Sequence, residues 1–296
     1  MGADYKGFLV VALSLMLAAA AGCDTGTTSS GSQPAVPAPG SGAVTTTMDT
    51  AETSAPAPEE ERPVIAEALP YAEIDEQLVY GYFAFPADMV DPLPGIIVVH
   101  ERWGLDDSTR SLAERLASQG YVVLAIDLFG GKVATDSTQS RNLMLPVVEN
   151  QHQANENIRQ ARQFLVDSGQ APRIAILGWS FGAAQALNAA LELPDLLDAA
   201  VLYYGQVSTN TERLVDLSVP VLAFFGENDR GFTGDKVREF DEAMESLGKD
   251  YQLELYPGAG HGFADPNGSN YNRDAAEAAW QSALAFLERR LAASPE

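Results

Sequence analysis

Short apolar runs separated by amphipathic stretches set the rhythm of this chain. Residues 96–99, 121–126, 173–177, 199–203 and 219–225 are rich in Val, Ile, Leu, Ala and Phe and are bounded by Gly, Pro, Asp or Asn. Runs of this length without alternation are expected of strands buried on both faces of a parallel sheet. Residues 73–85 alternate and predict two short strands or one bent strand, and 251–256 predict one more. Asp91-Pro92-Leu93-Pro94-Gly95 reads as a turn. Helical periodicity falls between the runs, over 107–119 (stopped by Gly120), 139–167, 183–193, 235–247 and 272–291. Pro146 is expected to break or bend the long second stretch. Strands alternating with helices give an α/β class, a mostly parallel sheet covered by helices on both faces. No internal repeat is visible.

Two N-terminal segments fall outside this rhythm. Residues 8–21 are apolar, follow Lys6 and the amino terminus, and are too short for a comfortable membrane span. Residues 1–22 therefore read as a signal peptide ending Ala20-Ala21-Gly22-Cys23. This is similar to the lipobox of bacterial lipoproteins, whose cysteine is lipidated, although Ala20 stands where a larger aliphatic residue is usual and Asp4 is out of place. Residues 23–63 are rich in Ser, Thr, Gly, Pro and Ala and cannot bury enough surface to offset their ordering entropy. They read as a linker between a lipid anchor and a folded domain at 64–296.

Composition narrows the function. With 46% hydrophobic residues in 296, the chain can build a sizeable core. Its net charge of −23 repels phosphate backbones and anionic lipid, which excludes nucleic-acid binding as a function class. Lysines number 4 against 14 arginines, a balance that would suit a salty environment. Cys23 is the only cysteine, so no intramolecular disulfide is possible.

The chemistry centres on Gly178-Trp179-Ser180-Phe181-Gly182, a G-x-S-x-G pattern between a strand and a helix. There the serine stands on a tight turn above the sheet, and its neighbours must be small. A hydroxyl needs a base, and the base needs an acid to fix its tautomer. In this fold the order along the chain is nucleophile, acid, histidine. The histidines are His100, His152 and His261, and only His261 follows Ser180. It sits in a glycine-rich loop after a strand. Asp229 follows the strand before it, with Glu227 as the fallback. His152 reads as a solvated surface residue and His100 as a structural one. An oxyanion needs two N–H donors, which are expected from Phe181 and from the backbone of Arg102. Trp103, Phe129, Trp179 and Phe263 are candidate pocket residues, and 132–146 is a lid candidate by position.

His100-Glu101-Arg102-Trp103-Gly104, Asp127-Leu128-Phe129-Gly130-Gly131, the Ser180 pentapeptide, Gly226-Glu227-Asn228-Asp229 and His261-Gly262-Phe263 together resemble the dienelactone hydrolase family of α/β-hydrolases, over about 75–292. The resemblance implies an α/β-hydrolase fold and hydrolysis of esters or lactones through an acyl-enzyme, with no metal and no cofactor. Type members carry a cysteine where Ser180 stands, and hold the resting thiol with a glutamate matching Glu101. They grip the substrate carboxylate with two arginines, where this chain has Gly130-Gly131-Lys132 and Asp265. A carboxylate at 265 is expected to repel an anionic substrate.

The expectation is therefore a serine esterase with Ser180, His261 and Asp229. Its partners would be a small ester or lactone and a membrane reached through lipidated Cys23, with the catalytic domain outside the cytoplasm of a bacterium. A non-catalytic ligand-binding lipoprotein on the same fold, or acyl transfer or peptide hydrolysis by the same residues, are the competing classes.

Overall fold

The computed structural model describes residues 62–292, so the expected signal peptide, Cys23 and most of the expected linker lie outside the described residues. Eight strands form one sheet, in the spatial order β1-β2-β4-β3-β5-β6-β7-β8. They are β1 Val64–Ile74, β2 Gln77–Pro86, β3 Gly95–Val99, β4 Val122–Ile126, β5 Ile174–Trp179, β6 Ala199–Tyr203, β7 Val221–Gly226 and β8 Tyr251–Tyr256. The strands from β4 across to β8 run parallel, while β1 and β2 join antiparallel at one edge. This is the mostly parallel, doubly covered sheet that the apolar runs predict.

Each central run divides its side chains between two cores. Ile97 and Val99 face one way, toward α3 (Gln151–Asp167), α4 (Phe181–Glu192) and α6 (Gly234–Ser246). Ile96 and Val98 face the other way, toward α1 (Asp107–Ser118) and α7 (Arg273–Leu291). Both faces are covered, so every position must be apolar and the alternation disappears from the sequence.

Three expectations change. The alternating segment is two long strands, joined at Asp75 and Glu76, whose φ values of 50° and 63° turn the hairpin. The long helical stretch is divided at Asn150 and not at Pro146. Pro146 lies inside α2 (Ser137–Glu149), while the Asn150 side chain accepts from Gln153 N–H and caps α3. A proline removes only its own N–H, and it sits where the chain is about to turn; the cap decides the boundary. The expected lid segment 132–146 is mostly the start of α2, and α2 is tied down by a bond from Arg102 Nε to Ser140 Oγ at 3.0 Å. A 3-10 turn at Pro194–Leu196 and the short helix α5, Thr211–Leu214, carry no strong sequence period and were not expected.

Among the described residues no helix is long and apolar enough to cross a membrane.

Candidate active site

Ser180 ends β5 and begins α4 with φ 51° and ψ −112°. A non-glycine residue in this region stores roughly 1–3 kcal/mol of backbone strain. The flanking glycines make the turn possible. A Cβ on Gly178 would lie 2.4 Å from the Gly182 carbonyl, and one on Gly182 would lie 2.2 Å from the Val99 carbonyl oxygen. Helix α4 therefore starts directly against the end of β3. Gly205 has the same role from β6, since its Cβ would meet Ala183 Cβ at 2.4 Å.

Three side chains far apart in sequence meet here. Ser180 Oγ lies 2.9 Å from His261 Nε2, and His261 Nδ1 lies 2.9 Å from Asp229 Oδ2. The Asp229 side chain is wholly buried, whereas that of His261 is 43% exposed, so the carboxylate is fixed and the imidazole is open to solvent. The other Asp229 oxygen accepts N–H bonds from Gly231 at 2.7 Å and Phe232 at 3.0 Å. Burial alone would push this carboxyl up. The bond from His261 and the two N–H groups outweigh it and hold the carboxyl below its ordinary range. The bond to Asp229 in turn raises His261 above the usual histidine value, against a lowering by partial burial. Glu227 is exposed, and it is Asp229 that bonds the imidazole. The histidine loop approaches closely because Gly226 is bare: a Cβ there would meet the Ala259 oxygen at 2.5 Å.

Phe181 is the first residue of α4, where an N–H has no acceptor within the helix. Arg102 lies on the loop after β3, and its guanidinium rests 4.7 Å from the centre of Trp103. Glu101 accepts a bond from Tyr204 Oη at 3.2 Å. Burial first, and the charge of Asp265 second, raise the Glu101 carboxyl to about 7. Tyr204 also lies edge-on to His261, with ring centres 5.2 Å apart.

The expected pocket residues separate into two pairs. Trp103 and Trp179 line a cavity of about 450 Å³ beside the triad, together with Glu101, Tyr204 and Asp265. Phe129 and Phe263 do not line it. Phe129 is buried against His100 and Phe181, at 4.6 and 5.6 Å between ring centres. Phe263 is fully buried between Tyr204 and Tyr256. Both are walls behind the site, because an aromatic next to a functional residue is also the cheapest way to fill the core beneath it. Lys132 is exposed and lines a different cavity. His152 is exposed on α3 and His100 is fully buried. Asp127 holds the loop after β4 by accepting from Phe129 N–H at 2.7 Å and from Gly131 N–H. Among the described residues no group of three or more His, Cys, Asp or Glu could hold a metal ion.

Tyr204 and Gly205 were missed by sequence reasoning. The signal was present: Tyr203-Tyr204-Gly205 closes an apolar run at the carboxyl edge of the sheet, where α/β sites form. Tyr204 has φ 40°, which no local pattern announces.

The model of the dienelactone hydrolase family matches residues 79–291. A Saccharolobus solfataricus protein provisionally named a carboxymethylenebutenolidase is 27% identical over 243 residues, covering 70% of this chain and 93% of that protein. The Aquifex pyrophilus protein usf is 27% identical over 205 residues, covering 67% and 89%. Among solved structures, a Klebsiella pneumoniae protein provisionally named a dienelactone hydrolase aligns with a TM-score of 0.70 at 25% identity, over 77% of this chain and all of that one. A thermophilic esterase from Thermogutta terrifontis shares the fold, with a TM-score of 0.60 at 23% identity over 78% of this chain and 95% of that one.

Proposed function

Because the chain belongs to the dienelactone hydrolase family, on the α/β-hydrolase fold, and is a carboxylic ester hydrolase, we propose that it cleaves carboxylic esters or lactones through an acyl-enzyme formed on Ser180. The observation that carries this reading is the unbroken chain of bonds from Ser180 Oγ through His261 to buried Asp229.

His261 Nε2 takes the Oγ proton as Oγ bonds to the ester carbonyl carbon. The oxyanion is received by the N–H groups of Phe181 and Arg102, at the amino end of α4 where the helix dipole favours negative charge. Asp229 stabilises the imidazolium. His261 then gives its proton to the leaving alcohol as the carbon–oxygen bond breaks. Water, deprotonated by the same nitrogen, attacks the acyl carbon, and Oγ departs with a proton. A short chromogenic ester tests this. The wild type is expected to release acid and alcohol in equal amounts, and Ser180→Ala to fall to background. Equal rates for the two would reject the reading.

The lipid anchor belongs to the same proposal. Cys23, the only cysteine, closes an apolar run and is followed by a long polar linker. Lipidation there would tether the hydrolase to a bacterial membrane, outside the cytoplasm. Labelled palmitate incorporated into the wild type and lost in Cys23→Ser is the expected result; equal labelling of both would remove the anchor.

A further inference from the structure

The cavity of about 450 Å³ opens on the α1 and α7 side of the sheet; Ser180, Asp229 and His261 do not line it, but residues next to them do. Trp179, which lines it, immediately precedes Ser180. Tyr204, which also lines it, touches His261 edge-on. Ala264 and Asp265 line it from the loop that carries His261. An alcohol leaves past the histidine that protonates it, and the contact of Tyr204 with His261 and the position of Ala264 and Asp265 on the same loop place this cavity to receive the alcohol part of an ester.

Its walls are aromatic and acidic. Trp103, Trp179, Tyr203, Tyr204 and Trp280 supply the rings. The carboxylates of Glu101, Asp106, Asp107, Asp265 and Glu277 stand among them, against the single cation of Arg115. Three of the five are engaged. Asp106 caps α1 by accepting from Thr109 N–H at 2.9 Å, Asp107 pairs with Arg110 at 3.5 Å, and Glu277 pairs with Arg115 at 3.4 Å. Glu101 accepts only the Tyr204 hydroxyl, and Asp265 accepts the Asn267 N–H at 2.9 Å; among the described residues neither has an arginine or lysine partner.

The chain itself shows how these walls treat a cation. The Arg115 guanidinium lies 3.9 Å from the centre of the Trp280 ring while paired to Glu277. A ring face and a carboxylate together attract a positive charge that is partly withdrawn from water. The Trp103 ring already carries the Arg102 guanidinium; Trp179, Tyr203 and Tyr204, with the carboxyl groups of Asp265 and Glu101, offer a similar combination to a ligand.

We propose that this cavity selects esters whose alcohol carries a fixed positive charge, an ammonium group held among the aromatic rings by Glu101 and Asp265. The proposal rests on the esterase reading above and leaves its chemistry unchanged. The acyl group passes to Ser180 Oγ, the cationic alcohol leaves with the proton from His261 Nε2, and water releases the acid.

Choline and its uncharged isostere 3,3-dimethylbutan-1-ol test the site. Their binding to the full chain carrying Ser180→Ala is measured by calorimetry, and their acetates are offered to the wild type. Choline is expected to bind about tenfold more tightly than the isostere, and acetylcholine to show a kcat/KM about tenfold higher, from the cation–ring and charge attraction. Both preferences should shrink several-fold in Asp265→Asn. Binding of the uncharged alcohol as tight as that of choline overturns the cation site; if both acetates are nonetheless hydrolysed, the esterase reading stands. Tight choline binding without hydrolysis of any ester keeps the cation site and overturns the esterase reading instead.

Discussion

His100 Nδ1 lies 2.7 Å from the carbonyl oxygen of Glu101. The other ring nitrogen accepts the Leu128 N–H at 3.1 Å, so the neutral imidazole carries its proton on Nδ1 and donates it to that carbonyl. Burial lowers the pKa of His100 and keeps it neutral. The Glu101 carbonyl and the Arg102 N–H belong to one planar trans peptide and point in opposite directions. Fixing the oxygen therefore fixes the direction of the donor assigned to the oxyanion. The expected consequence is a kcat effect. His100→Leu should lower kcat on a chromogenic ester by about 10- to 100-fold, less than outright removal of an oxyanion donor, with KM within about threefold. His100→Asn, whose amide can present an N–H near the Nδ1 position, should recover most of the loss. A change in KM alone, or no recovery, would remove this role.

Asp229 can be isolated from its turn. In Asp229→Asn the oxygen that accepts from Gly231 and Phe232 can remain, while the carboxylate charge beside His261 Nδ1 is lost. By analogy with other serine triads, kcat should fall by about 10³–10⁴-fold. The pH profile should move as well. In the proposed mechanism activity requires neutral His261, and the bond to Asp229 raises its pKa, so the wild-type acid limb is expected above the ordinary histidine value. Without that carboxylate the residual activity should persist to lower pH. An acid limb at the same pH in both proteins would show that another group sets it.

Glu101 gives a smaller shift of the same sign. Its charge adds to the raising of His261, and its own carboxyl titrates at about 7. Glu101→Gln removes a charge while keeping an acceptor for the Tyr204 hydroxyl. The acid limb should move downward by less than in Asp229→Asn. An upward movement would mean that Glu101 acts on the reaction by another route.

Gly182→Ala tests the elbow. The added Cβ would meet backbone oxygens of Val99 and His100 at 2.2 and 2.6 Å, which cannot rotate away. The cost should exceed the roughly 1–3 kcal/mol typical of overpacking against side chains. Thermal unfolding should drop by many degrees, or soluble protein be lost. Gly131→Ala adds a Cβ with nothing within 4 Å but at φ 80°, and should cost only about 1 kcal/mol from backbone strain.

Asp265 sets a limit on substrates. It lines the cavity beside the triad, while Lys132 lies elsewhere. Esters and lactones bearing a carboxylate, dienelactone among them, should be poor substrates, and Asp265→Asn should raise kcat/KM for them several-fold. Efficient turnover of dienelactone by the wild type would contradict this.

The amino-acid sequence by itself determined the mostly parallel, doubly covered sheet and the succession of its central strands and helices along the chain. Runs such as 96–99 and 121–126 are apolar at every position because both faces are covered, and that signal is local. It also carried the pairing of candidates: one histidine follows Ser180, and a strand ends just before Asp229. Glu227 remained an alternative until the structure placed it in solvent. Tertiary structure alone decided what depends on neighbours distant in the chain. Asn150 rather than Pro146 divides the helices, because a cap is chosen by backbone geometry. Phe263 lies behind the site and Trp179 in front of it, although both adjoin functional residues, because strand register and loop path set which face a ring meets. Tyr204 reaches Glu101 and His261 only through the turn at φ 40°. The aromatic, acidic character of the cavity likewise appears only when residues from 101 to 280 are brought together, since charge attraction depends on distance in space and not along the chain.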